Sequence, residues 1–352
     1  MRKEMKILLS VHFILWTVIY LIAGRYGYID KLKPFLYLNS LYKGMVLTFL
    51  IHFIFTLFGL AISRSKSPLS EMIEIYRRLI FNKRQIKVAI FFILLVTINS
   101  SLYTSFKGII PKINYFNFDL TLAYVDKIIH FGISPWEISH IVLDSPYWSF
   151  AISIVYTLWL FAFWWFVCAI IFSLKDFRTK LLIISGYNFI WIINGSILAL
   201  LFSSAGPCFF EYVVDGNNST MFAELMNRLE LHKLYFESKG YSFGVPATIM
   251  QEMLWTAHVE DKTEIGAGIS AFPSMHVSVC MYMWLVTREY FKKFSALTFV
   301  FLIFVLVGSV HLGWHYAVDG YVSLVTTFIV WKLTQRLMNY AYNVHTTNTC
   351  SD

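Results

Sequence analysis

Residues 294–337 read FSALTFVFLIFVLVGSVHLGWHYAVDGYVSLVTTFIVWKLTQRL, in which two long apolar segments flank the polar stretch His311–Asp319. An α-helix needs about 20 apolar residues to cross the roughly 30 Å hydrocarbon core of a bilayer. We therefore predict two membrane-spanning helices joined by a short polar junction. Segments of the same kind recur along the chain and give about eight predicted spans, which are residues 6–23, 41–62, 86–106, 148–173, 179–203, 273–290, 294–311 and 315–337.

The composition of the whole chain agrees with a membrane protein. Of the 352 residues, 57% are hydrophobic and only 14% are charged, too few polar side chains to cover a soluble globule. The net charge of +8 does not predict a nucleic-acid partner, because the Lys and Arg residues are spread over short loops. The four Cys residues form no paired motif. We expect an all-α fold, a polytopic membrane helix bundle with about eight transmembrane helices.

The distribution of basic residues predicts the orientation of this bundle. Lys and Arg are concentrated in the connections after spans two, four and six, and such connections are usually cytoplasmic. Both termini then lie in the cytoplasm as well, and we expect the first apolar run to be a retained helix rather than a cleaved signal peptide. The connections 24–40, 107–147 and 204–272, and the junction at 311–319, are expected on the exterior, periplasmic or lumenal side.

We divide the chain into three parts on this basis. Residues 1–85 are expected to form two additional transmembrane helices with a basic cytoplasmic loop, residues 86–338 a six-helix core, and residues 339–352 a cytoplasmic tail. Apolar residues recur at helical spacing in 118–130 and 221–236, which predicts short helices lying at the interface. Such helices could either roof a site or only pack on the bundle.

Three polar groups of residues stand at the predicted exterior ends of the spans, at Ser203–Pro207, Phe272–His276 and His311–Asp319. Ionisable side chains at membrane depth are costly, so their convergence at one face indicates a function. His315 and Asp319 are four residues apart, which places them on one helical face. There the carboxylate can hold one ring nitrogen and leave the other free as a nucleophile.

The remaining polar residues suggest an acid and a phosphate site. His276, in the first turn of its helix, could protonate a leaving oxygen, while the N–H groups of that helix start favour phosphate. Ser274 and His311 are further candidates for binding phosphoryl oxygens. A different interpretation makes His311 and His315 ligands of a metal or haem. A third makes the same groups a recognition site in a non-catalytic transporter or lipid-binding scaffold.

The motifs PSMH at 273–276 and HLGWHYAVDG at 311–320 resemble the second and third motifs of the phosphatidic acid phosphatase type 2 superfamily, PSGH and SRxxxxxHxxxD. The sequences Gly268–His276 and Gly308–Asp319 are similar to the corresponding motifs of the inositol phosphorylceramide synthase-like branch of this superfamily. The resemblance covers roughly residues 86–338. It implies that His315 attacks phosphorus, that Asp319 orients it, that His276 protonates the leaving group and that Ser274 binds phosphate.

The chain departs from the superfamily pattern where cations are expected. The first motif, KxxxxxxRP, aligns on Pro207 and places Gly206 at its Arg and Ala199 at its Lys. Ser309 stands where the third motif has Arg. We expect Gly206 and Pro207 to remain part of the phosphate site, and His311, Lys107 or Lys112 to supply the missing contacts. A site poor in cations suits a phosphodiester, with one negative charge, better than a monoester with about two.

These observations predict an integral membrane lipid phosphatase or phosphotransferase that acts on phosphate-linked lipid head groups without a metal or cofactor. The resemblance favours inositolphosphotransferase-like transfer. The expected partners are membrane lipids, namely a phospholipid donor and, for transfer, a lipid hydroxyl acceptor. The triad alone does not choose between water and a lipid hydroxyl as the acceptor, because access and pocket shape decide it.

Overall fold

The computed structural model describes residues 3–80, 83–173, 175–241, 244–262, 266 and 268–348. In these residues the chain folds into helices and loops with no β-strand, as predicted. The helices are α1 Lys3–Arg25, α2 Leu38–Ile62, α3 Pro68–Ile80, α4 Lys83–Lys107, α5 Ile110–Ile113, α6 Asp119–Ile129, α7 Pro135–Val142, α8 Pro146–Thr157, α9 Trp159–Phe172, α10 Phe177–Ile192, α11 Ala199–Leu201, α12 Phe210–Val213, α13 Ala223–Ser238, α14 Pro246–Val259, α15 Met275–Tyr290, α16 Ser295–His311 and α17 Ala317–Asn348.

Each predicted span corresponds to a helix or to helices in succession. Six helical segments of the described chain are long and apolar enough to cross a membrane, namely Glu4–Arg25, Tyr42–Ile62, Lys83–Ile113, Pro146–Phe172, Phe177–Leu201 and Lys292–His311. The other two predicted spans correspond to α15, which has only 16 residues, and to the first part of α17. The prediction of a polytopic helix bundle in an integral membrane protein is confirmed.

The helix α15 lies in the middle of the bundle, packed against α16, α17 and α10. Polar side chains join its neighbours there: Asn194 donates from Nδ2 to Ser278 Oγ at 3.0 Å, and Ser323 Oγ donates to the carbonyl of Ser274 at 2.9 Å. Small residues and interhelical hydrogen bonds of this kind fix helices in lipid, where apolar contact alone is not selective. The buried polar side chains of α15 are therefore explained by its central position.

The two N-terminal helices pack on this core. Helix α1 contacts α10 and α17, and α2 contacts α9. Between them, Tyr37 is buried and its hydroxyl accepts hydrogen bonds from Thr104 Oγ1 and from the N–H of Gly266. The part of the chain before residue 86 thus reaches the loop that leads to the PSMH motif.

The two predicted interfacial segments are helices α6 and α13. In α13 the buried residues Leu225, Leu229, His232 and Phe236 recur at helical spacing, so one face of this helix packs on the bundle. Helices α5 to α7 and α12 to α14 together cover one end of the bundle. We call it the site end, because it carries residues 203–207, 272–276 and 311–319.

Candidate active site

Backbone hydrogen bonds join the three polar groups of residues at the site end. The N–H of Ala271 donates to the carbonyl of Ser204 at 2.8 Å, and the N–H of Cys208 donates to the carbonyl of Gly313 at 2.8 Å. The N–H of Ser274 reaches the carbonyl of Asp319 at 3.3 Å. Segments far apart in the sequence therefore form one unit, as the predicted topology required.

A cavity of about 200 Å³ lies beside this unit, and several of the predicted site residues line it. Its walls come from α4, α8, α9, α14 and α15 and from the turn between α16 and α17, and His276, His315 and Lys107 all line it. From Lys107 the lining continues along α4 to Thr104, Tyr103 and Ser100, a depth of about 10 Å at 1.5 Å per residue. The cavity is polar at the site end and mostly aromatic below.

His315 lies in the turn between α16 and α17, outside both helices. Its Nδ1 is 3.2 Å from Asp319 Oδ2, which also accepts the N–H of Tyr316 at 3.1 Å. The ring has a second contact, a backbone hydrogen bond with Ala271, and it lines the cavity. Burial, and secondly the positive charge of Lys107, lowers the pKa of His315 to about 3. The imidazole is therefore neutral at neutral pH and carries the lone pair that a nucleophile needs.

His276 lies in the first turn of α15 and is the second histidine of the site. Its ring centroid lies 5.9 Å from that of His315, and the ring is held between Tyr156 at 4.6 Å and Trp159 at 4.2 Å. Within the described chain no hydrogen bond engages its ring nitrogens. A ring that is positioned by aromatic packing, with its nitrogens unoccupied, is able to exchange a proton with a bound substrate.

Ser274 precedes this turn and is the N-cap of α15. Its Oγ accepts the N–H of Val277, and the whole side chain is buried. Ser274 does not line the cavity. In the structure it fixes the start of α15, and so the position of His276, rather than facing the space in which a phosphate would bind.

Lys107 ends helix α4 and is the one lysine or arginine among the described residues that line the cavity. No ion pair within the described chain neutralises its ammonium group. A charged side chain at membrane depth is costly unless a group of opposite charge lies beside it. The cavity is therefore suited to an anion. Lys112 instead pairs with Asp261.

Gly206 and Pro207 form a turn that contacts the segment of His315. Gly206 has φ +97°, and a Cβ there would lie 2.6 Å from the carbonyl oxygen of Trp314, so that glycine is required. Pro207 borders a small void next to His315. The N–H groups of Ala205 and Gly206 both donate to the carboxylate of Asp119 at 2.8 Å. The structure thus places this turn beside the site, with these two N–H groups already occupied.

His311 lies apart from the cavity lining, in a histidine–serine cluster formed by His140, His232, His311, Ser139 and Ser149. Its Nε2 is 2.9 Å from Ser149 Oγ and its Nδ1 is 3.2 Å from Ser139 Oγ. The ring stacks on His140 at 3.9 Å with an interplanar angle of 4°. The structure does not bring His311 together with His276 and His315, although it is only four residues from the latter.

Two aspartates of α6 hold the site together and were not predicted. Asp119 is fully buried and also accepts the hydroxyl of Tyr316 at 2.7 Å, so it joins the Gly206 turn to the His315 turn. Burial raises the pKa of Asp119 to about 6, against these hydrogen bonds, which lower it. Asp126 accepts the N–H groups of Ala317 and Val318 at 2.7 and 2.8 Å and so caps α17. The sequence signal that could have indicated their role is their seven-residue spacing, which places both carboxylates on one face of α6.

Ligation of a metal or haem by His311 and His315 is one of the two alternative interpretations. Over the described ranges, no group of three or more His, Cys, Asp or Glu side chains is arranged to hold a metal ion. The serine partners of both His311 nitrogens give no support to this interpretation.

Comparison with known proteins identifies the family. The model of the PAP2 superfamily matches residues 120–333, which includes the motifs of His276 and His315 and starts inside α6. No curated protein and no solved structure showed significant similarity to the chain. The match leaves out α4 and Lys107, so the cation of the cavity lies outside the matched region. Because residues 120–333 are more than half of the 352 residues, this chain belongs to the PAP2 superfamily.

Proposed function

We propose that this protein is a membrane enzyme that cleaves or transfers the phosphate-linked head group of a lipid through a phosphohistidine at His315. One observation carries the proposal. The Asp319-held His315, the unoccupied ring of His276 and the unpaired ammonium group of Lys107 line the same cavity. These are a nucleophile, an acid–base group and a phosphate partner, the three functions that phosphoryl transfer requires.

In the first step Nε2 of His315 attacks phosphorus, and the bond from phosphorus to the leaving oxygen breaks. His276 takes up a proton from solvent as the anionic phosphate binds beside it, and gives that proton to the leaving oxygen. Asp319 keeps the proton on Nδ1 and stabilises the positive charge that develops on the ring. In the second step water or an alcohol loses a proton to His276 and attacks phosphorus, and the phosphorus–nitrogen bond breaks. Neither step requires a metal ion or a cofactor.

The charge of the cavity favours a phosphodiester substrate. Lys107 supplies one positive charge near the phosphoryl group, which matches a diester rather than a monoester. For the same reason we favour transfer of an intact phosphate-linked head group, as in inositolphosphotransferases, over release of inorganic phosphate. Ser274 and the turn at Gly206 and Pro207 would then act by positioning His276 and His315.

The orientation is part of the proposal. Basic residues are concentrated at the end opposite the site end, in 63–85, 175–180 and 288–293, and such segments usually remain in the cytoplasm. We therefore place both termini in the cytoplasm and the cavity on the exterior or lumenal side. The lipids of that leaflet would be the donor and the acceptor.

The test is turnover of phosphatidic acid, phosphatidylinositol and phosphatidylcholine by the purified protein in mixed micelles that contain a chelator. The wild-type protein is compared with His315→Asn, His276→Asn and a control, His258→Asn, whose histidine does not line the cavity. We expect turnover by the wild type and the control and a loss of at least about a hundredfold in the other two variants. Equal inactivity of all four proteins on all three lipids would contradict the proposal.

A further inference from the structure

Tyr37, the residue before α2, forms part of the wall of the cavity. Two buried serines of α4 hold its segment in place. Ser101 Oγ accepts the N–H of Tyr37 at 3.0 Å. Four residues further along the same face of the helix, Ser105 Oγ accepts the N–H of Lys33 at 3.1 Å. The ring of Tyr37 also packs near that of Trp164, with centroids 5.8 Å apart. The position of this tyrosine is therefore fixed through both its backbone and its side chain.

The hydroxyl group of Tyr37 accepts two hydrogen bonds, from Thr104 Oγ1 at 3.1 Å and from the N–H of Gly266 at 3.2 Å. Both donors also line the cavity. A phenol oxygen that accepts in this way still has its own proton to donate. Burial raises the pKa of Tyr37, so this proton is retained at neutral pH. Among the described residues it has no acceptor, and an oxygen atom of a bound ligand can supply one.

The donor of Tyr37 lies about one helical turn from the cation of the cavity. Thr104 and Lys107 are three residues apart on one face of α4, which separates them by roughly 4.5 Å along the helix axis. The loop at Gly268 closes on this end of α4, where a Cβ on Gly268 would lie 3.0 Å from the backbone nitrogen of Gly108. A group that is bonded to a phosphate at Lys107 therefore extends to the level of the Tyr37 hydroxyl.

The charges of the cavity restrict the head group that fits there. Among the described lining residues there is no Asp or Glu. A phosphate at Lys107 neutralises the ammonium group of this lysine, and a further positive charge on the head group has no carboxylate partner. The aromatic faces of Trp159 and Trp191 are able to hold a quaternary ammonium, but such a group has no oxygen that accepts the proton of Tyr37. An uncharged head group with hydroxyl oxygens satisfies both conditions.

We infer that Tyr37 is a specificity-determining residue, which donates a hydrogen bond from its hydroxyl to an oxygen of the lipid head group and so favours uncharged, hydroxyl-bearing head groups over quaternary ammonium groups. This inference rests on the proposed function and specifies how its head group is selected. Tyr37 and Thr104 both lie outside residues 120–333, the part that matches the superfamily. The segment before the matched region therefore completes the site and is not only a membrane anchor.

The first experiment removes the hydroxyl group and keeps the ring. Tyr37→Phe is compared with the wild type and with the control Tyr42→Phe, at a position 62% exposed on α2. Each protein is given phosphatidylinositol, phosphatidylglycerol and phosphatidylcholine with the same acyl chains. We expect kcat/KM of the wild type and the control to be higher on the two hydroxyl-bearing lipids. Tyr37→Phe should lower it by at least about tenfold on those two and by less than about twofold on phosphatidylcholine. Equal losses on all three lipids, as from a purely structural role, or no loss, would overturn the inference.

The second experiment measures binding, does not depend on turnover and separates this inference from the proposed function. His315→Asn, alone and combined with Tyr37→Phe, is titrated calorimetrically with glycerophosphoinositol and with glycerophosphocholine. We expect His315→Asn to bind glycerophosphoinositol more tightly, and Tyr37→Phe to weaken that binding by at least about tenfold without changing the other. Absence of binding, or binding that Tyr37→Phe leaves unchanged, would overturn the inference even if the wild-type enzyme is active. Selective binding together with a wild type that turns over no lipid would contradict the proposed function alone.

Discussion

His311 and His315 stand four residues apart, in one motif, and have opposite surroundings. The ring of His311 is closed in by two serine hydroxyls and stacks on His140, as part of the histidine–serine cluster. The ring of His315 has one nitrogen held by Asp319 and faces a cavity with an unpaired lysine. The two histidines therefore differ in what surrounds them: His311 is enclosed by hydroxyl groups and another ring, whereas His315 has a carboxylate partner and lines a cavity that contains a cation, as the proposed nucleophile requires.

Replacement of the reactive histidine is expected to have the largest effect. His315→Asn removes the nucleophile and should lower kcat by about a thousandfold or more. Its melting temperature should fall less than that of the matched change at His311, because the carboxylate of Asp319 still accepts the N–H of Tyr316. The matched change His311→Asn should instead lower the stability by about 1–3 kcal/mol, because buried serine hydroxyls lose a partner. Thermal unfolding and initial rates are measured for both variants. A large loss of kcat in His311→Asn together with a large loss of stability in His315→Asn would contradict the assigned roles.

Lys107 is expected to have the second largest effect. Lys107→Met removes the positive charge that faces the phosphoryl oxygens, and kcat/KM should fall by about a hundredfold. Lys107→Arg should recover most of the activity because it keeps the charge. Initial rates on a phosphodiester lipid and on phosphatidic acid check this. Wild-type rates in Lys107→Met would remove the lysine from the site.

The aspartates of α6 should have a smaller effect, through position. Asp119→Asn weakens the link between the turns of Gly206 and His315, and kcat should fall about tenfold, since misplaced catalytic groups lose rate. KM should change little, because Asp119 does not line the cavity. Asp119→Glu serves as the comparison that keeps the charge. A rise in KM with unchanged kcat would argue that Asp119 contacts the substrate instead.

The smallest expected effect is a pH dependence of stability from the histidine–serine cluster. Burial is the main cause that lowers the pKa of His140, to about 4, and that of His232. The folded protein then binds fewer protons than the unfolded chain below the usual pKa of about 6.5. The free energy of unfolding should therefore fall as the pH drops from about 6.5 towards 4. Melting temperatures at pH 7 and pH 5 test this, and His232→Gln should show a smaller difference than the wild type.

The sequence predicted the helices and the contact of His315 with Asp319 because both depend on short-range patterns. Apolar runs predicted eight spans, and six of the corresponding helical segments in the described chain are long and apolar enough to cross a membrane. The spacing of His315 and Asp319 predicted their hydrogen bond. The role of His311 was not visible, since its serine partners are 162 and 172 residues away along the chain. Asp119 was missed for the same reason. Lys107 was one of three candidates, and only the packing of α4 places it, rather than His311 or Lys112, at the cavity.

Trapping the covalent intermediate tests the proposed phosphohistidine at His315 most directly. The wild-type protein is mixed rapidly with a phospholipid labelled at phosphorus, quenched in base to preserve a phosphorus–nitrogen bond, and analysed by mass spectrometry of its peptides. We predict a phosphoryl or head-group phosphoryl adduct on His315, absent from His315→Asn and present in His258→Asn. Turnover without any adduct, or an adduct on a residue other than His315, would contradict the account.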